Sequence, residues 1–97
     1  MSRPELLSKE LIDNHSALLP MWINDGLSLK RQFLLSNFAS AIGFINAIAI
    51  VSEAMDHHPE IQLYGWNKVS IMISTHDKGG LTELDFQLAS KIDSISF

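Results

Sequence analysis

The sequence predicts an α+β domain: a four-stranded antiparallel sheet with three helices packed on one face, in the order helix, hairpin, helix, hairpin, helix. Three observations predict it. Asn24-Asp25-Gly26 and Gly65-Trp66 are turn signals, each between two short apolar runs. Val69, Ile71, Ile73 and Thr75 alternate with Lys68, Ser70, Met72 and Ser74, the period of a strand with one buried face. Between the two hairpins lies a run of helical length, NFASAIGFINAIAIVS at 37–52, without a charged residue.

The elements follow in chain order. A short helix is expected over Ser8–Ser16, with Ser8 as cap and Leu11, Ile12 and Leu18 as inner face; Pro4 and Pro20 bracket it. Met21–Asn24 and Leu27–Leu35 form the first hairpin, although Arg31 and Leu34 disturb the alternation of its second arm. The long helix runs from about Asn37 to Asp56. Phe38, Ala41, Ile42, Phe44, Ile45, Ile48, Ala49 and Met55 fall on an apolar arc of nearly half its circumference, while Asn46 and Glu53 share the polar side. An arc this wide exceeds what one sheet covers, so a second subunit is expected against it. Glu60–Tyr64 and Asn67–Thr75 form the second hairpin. The last helix spans Glu83 to about Ile95, capped by Thr82 with Asp85 at N3, stapled by Leu81 and Phe86, and lined inside by Leu84, Leu88, Ile92 and Ile95.

Composition narrows the function. The 97 residues suit one domain, 1–97; 46% are hydrophobic and 19% charged, which argues for a packed core and against disorder. Formal charge is −4, and the seven cations (Arg3, Lys9, Lys30, Arg31, Lys68, Lys78, Lys91) are scattered, so no nucleic-acid partner is expected. The uncharged run at 37–52 reads as too short and too interrupted for a membrane span. With no cysteine and no signal-type N-terminus, a cytoplasmic location is expected.

The chemistry gathers around DHHPE at 56–60. Pro59 disfavours helix at His58, so the long helix should stop near His57. Glu53 precedes His57 by four residues, where a carboxylate would orient the imidazole and stabilise its protonated form. His76 ends the last strand and is expected near the pair, whereas His15 is expected to be a surface residue. Asp85 is explained by capping, and Gly79-Gly80 by a turn. Two chemistries remain open on spacing alone: a metal shared by Glu53, His57 and His76, or metal-free acid–base work by imidazoles.

Glu53-x3-His57-His58-Pro59, Tyr64, Trp66, Thr75-His76, Gly80-Leu81-Thr82-x-x-Asp85 and Leu88-Ala89 together resemble the signature of the pterin-4a-carbinolamine dehydratases. LLPMW at 18–22, Phe33 and the run 38–59 extend the resemblance over nearly the whole chain, with Met21 standing where a glycine is expected. The resemblance implies an α+β fold, a homodimer or homotetramer, and dehydration of 4a-hydroxytetrahydropterin to quinonoid dihydropterin. That reaction recycles the pterin of aromatic amino acid hydroxylases, so such a hydroxylase is a candidate partner in phenylalanine hydroxylation. It implies no metal and no cofactor, the pterin being substrate. His57, His58 and His76 are expected to surround the ring and handle its protons, with Glu53 orienting His57. Asp56, Pro59, Ser74, Thr75, Asp77 and Asp85 are expected to complete the substrate-binding shell, Asp85 positioning His76 or capping its helix. The resemblance also carries an alternative: related proteins act as non-catalytic dimerisation or assembly factors.

Overall fold

The computed structural model describes residues 4–96; Arg3, one of the scattered cations, lies outside them. Three helices, α1 (Lys9–Ala17), α2 (Phe38–Met55) and α3 (Glu83–Asp93), accompany four strands, β1 (Ile23–Asn24), β2 (Leu29–Leu34), β3 (Glu60–Tyr64) and β4 (Lys68–Ile73). The sheet is antiparallel throughout, in the order β1-β2-β4-β3. The last strand in sequence is therefore interior, and β3 forms an edge.

Register sorts the side chains. Leu29 faces Ile73, Arg31 faces Ile71 and Phe33 faces Val69, while Ile61 and Leu63 meet Ile71 and Val69 from the other side. Val69, Ile71 and Ile73 are wholly buried and form the sheet's half of the core. The opposite face carries Lys30, Gln32, Glu60, Gln62, Ser70 and Met72. Arg31, which disturbed the alternation, does belong to the inner side. Its guanidinium donates to Asp93 Oδ1 at 2.7 Å and lies 4.2 Å from the Phe33 ring centre. Trp22 Nε1 donates to the same oxygen at 2.9 Å, tying the lead-in to β1 to the end of α3.

Both turns form as their residues dictate. Asp25 accepts from the backbone N–H groups of Leu27 and Ser28, which hold its carboxyl below the usual aspartate range. Gly65 and Trp66 both take positive φ, 54° and 59°, as a two-residue hairpin of this hand requires. Met21 needs no glycine-like conformation: the residues with positive φ are elsewhere, and the local turn closes through Trp22 N–H to Leu19 O at 3.0 Å.

Two helices depart from expectation. On α1 the inward face is Ile12, His15, Ser16 and Leu19, spaced by three and four, one residue round from the expected Leu11 and Leu18, which are both exposed. His15, expected at the surface, is half-buried and stacks on Phe86 with ring centres 5.0 Å apart. On α2 the buried stripe is narrow: Ala41, Phe44, Ile48 and Ser52, whose hydroxyl donates back to Ile48 O. Phe38, Ile42, Ala49 and Ile50 face outward, so the expected arc is only partly covered by this chain. The helix has 18 residues, more than the uncharged run alone, and by length and composition it could cross a membrane; here its stripe seats on β4 and α3.

Candidate active site

The site is built at the C-terminal end of α2. Asp56 ends the helix in the left-handed conformation (φ 51°, ψ 43°), and His57 N–H closes it by bonding to Ser52 O at 3.1 Å. That reversal turns His57 off the helical path and into the core, where it is 4% exposed. His58 then starts the extended entry to Pro59 and β3, and stays at the surface.

The two imidazoles have different partners. His57 Nε2 lies 2.7 Å from Asp85 Oδ1, both groups being buried. His58 Nε2 lies 2.6 Å from Glu53 Oε1, both groups being exposed. The expected pairing of Glu53 with His57 is thus replaced by one with His58. The i, i+4 argument assumed that His57 still lay on the helix, and the reversal at Asp56 removed it. Asp85 likewise does not position His76: it caps α3 and holds His57. Its carboxylate is fully buried.

Asp85 is the hub of a buried polar network. Its Oδ2 accepts from Thr82 N–H at 2.8 Å, completing the capping box, and from Thr75 Oγ1 at 2.8 Å. Thr75 and Thr82 hydroxyls are 2.9 Å apart, and Leu84 N–H donates to Thr82 Oγ1 at 3.2 Å. Thr75 has a single hydroxyl proton and gives it to Asp85, so the Thr82 hydroxyl donates to Thr75. The network joins the end of α2, the end of β4 and the start of α3. Thr75 also closes the loop that follows it: its N–H bonds to Gly80 O, and Gly79, with φ 71°, turns the chain between them.

His76 is the next residue after Thr75 and opens a short 3₁₀ turn, His76–Lys78, at the surface. Asp77 is exposed beside it, Ser74 and Pro59 are half-buried, and Asp56 is exposed with interactions of its own. His57 and His76 are therefore linked through Thr75 and Asp85, and His58 departs from His57 toward solvent. The shared ion considered on Glu53, His57 and His76 loses its helical i, i+4 pair, since Glu53 is bonded to His58 and His57 has left the helix. Among the described residues no three His, Asp or Glu side chains gather in a metal-holding group. Hollows among the described residues include one over the outer sheet face and one between α1 and α3, and neither of these is lined by Glu53, His57, His58 or His76. The Thr82 hydroxyl was missed as part of the site. The available signal was Thr75, a polar residue on the buried phase of β4, which must find a buried partner.

Comparison with known proteins decides the family. The profile described as Pterin 4 alpha carbinolamine dehydratase matches residues 5–95. The chain belongs to the pterin-4a-carbinolamine dehydratase family. A relative from Prochlorococcus marinus (strain NATL2A), provisionally named a pterin-4-alpha-carbinolamine dehydratase, is 42% identical over 90 residues, 93% of this chain and 94% of its own. One of the same provisional name from Chloroflexus aggregans is 44% identical over 90 residues, 92% of this chain and 95% of its own. Among solved structures, a transcriptional coactivator/pterin dehydratase from Brucella melitensis superposes with TM-score 0.85 at 32% identity, covering 93% and 97% of the two chains. A pterin dehydratase-like protein identified as a RuBisCO assembly factor of the alpha-carboxysome superposes with TM-score 0.64 at 26% identity, covering 75% and 86%. The first of these solved neighbours is thus described by both an interaction and a reaction, and the second by an assembly role.

Proposed function

We propose that this protein is a working dehydratase, converting 4a-hydroxytetrahydropterin to quinonoid dihydropterin and water. The observation that carries the reading is the buried His57–Asp85 pair, braced at Asp85 by Thr75 and Thr82 and adjoining the exposed His58 and the loop of His76. A buried polar network with every partner placed is a device for holding an imidazole still. The reaction asks for that. The C4a–O bond breaks as an acid protonates the leaving oxygen, a base takes the N5 proton, and the C4a=N5 double bond forms. Each proton transfer by a positioned side chain is worth ~10²–10⁴-fold. His57, His58 and His76 are our candidates for these transfers, and Glu53 orients His58. Backbone groups over Ser74–Asp77 hydrogen-bond the pterin edge, and Asp56 and Pro59 border it. The chemistry needs neither metal nor redox cofactor.

Its setting follows from the same reading. The uncovered apolar side chains of α2, Phe38, Ile42 and Ile50, support a homodimer or homotetramer, seen in sedimentation as a species larger than 10.8 kDa. A chain without cysteine gains nothing from an oxidising compartment, and we assign it to the cytoplasm, recycling pterin for an aromatic amino acid hydroxylase.

A second reading, an interaction protein without turnover, is favoured by the likeness to the carboxysomal assembly factor. His76→Ala separates the two. The dehydratase loses ~10²–10⁴-fold in turnover with fold and oligomer intact, whereas in a scaffold that never turned over pterin the substitution is silent.

A further inference from the structure

The hydrogen bonds around Asp85 fix which face of His57 does chemistry, an inference that rests on the dehydratase reading above. A carboxylate only accepts, so its bond to His57 makes Nε2 the donor. Nδ1 makes no hydrogen bond to a described residue. It is not sealed away either: the buried side-chain atoms without partners among the described residues are Arg31 Nε and Asn67 Oδ1. We propose that Asp85, braced by Thr75, is a positioning residue that holds His57 as the Nε2–H tautomer and so makes Nδ1 the nitrogen that meets the substrate. In the neutral ring Nδ1 carries the lone pair and takes a proton; in the charged ring it donates one.

Asp85→Asn tests this sharply because the network leaves asparagine one orientation. Thr82 N–H is a fixed donor 2.8 Å from Oδ2 and demands an oxygen there. The amide nitrogen must then face His57 Nε2 and donate to it, which moves the ring proton to Nδ1. The substitution keeps size and cap while inverting the tautomer.

The measurement is the ¹⁵N–¹H correlation pattern of His57 at a pH where the ring is neutral, in the full chain. The unsubstituted protein is expected to show Nε2–H, Thr75→Val to keep Nε2–H, and Asp85→Asn to show Nδ1–H with turnover reduced at least ~10²-fold. A role in structure alone would let the tautomer move while leaving the turnover of the folded protein unchanged. An Nδ1–H ring in the unsubstituted protein overturns the proposal whether or not Asp85→Asn folds. A folded Asp85→Asn protein that shows Nδ1–H with undiminished turnover overturns it as well. The tautomer is read without substrate, so an Nε2–H ring in a protein that fails to dehydrate pterin refutes the dehydratase reading and leaves the assignment of the tautomer standing.

Discussion

His57 and His58 are neighbours in the chain and belong to different worlds. His57 is buried and paired with a carboxylate 28 residues away; His58 is exposed and paired with one five residues back. The first pair is surrounded by further partners, while the second stands in water. One backbone reversal, at Asp56, accounts for the divergence. Adjacent identical residues can thus be given separate settings, one buried and one exposed, because the chain reverses between the helix end and the strand that follows.

The comparison can be broken by truncating each ring. His57→Ala leaves Asp85 as a buried carboxylate without its partner and is expected to cost about 3–5 kcal/mol of stability as well as turnover. His58→Ala is expected to lose ~10²–10⁴-fold in turnover while stability stays within about 0.5 kcal/mol. Urea unfolding alongside the dehydration assay reads both, and equal destabilisation by the two changes contradicts the contrast.

Smaller changes sharpen it. Thr75→Val removes one hydroxyl donor to Asp85 and breaks the bond to the Thr82 hydroxyl; about 1–3 kcal/mol should be lost in the same unfolding experiment. Glu53→Ala removes the exposed partner of His58 and should cost at most about 1 kcal/mol. Salt separates them further: the Glu53 effect is expected to shrink in 1 M salt, where screening reaches about 3 Å, and the Thr75 effect to persist.

Much of the fold could be read from residue patterns, because those patterns were local. Thr82 and Asp85 form the expected capping box, Asn37 and Asp56 bound the long helix, and the β4 alternation marks its buried face. The hydrogen bonds among the candidate site residues were not legible in the same way. Glu53 was matched to the wrong histidine because spacing treats a helix as continuing, whereas Asp56 ends it one residue early. Asp85 was recognised as a cap, but a bond spanning 28 residues has no local signature. His15 and Arg31 were misread or unplaced for a related reason: Phe86 and Asp93, which hold them, come from a helix far along the chain.

The central claim is that this constellation removes water from a pterin. The direct measurement is the ultraviolet absorbance change as 4a-hydroxytetrahydropterin dehydrates, with and without the protein and with and without chelator. The account predicts acceleration that survives chelation. No acceleration by a folded sample would contradict it and leave the interaction reading in its place.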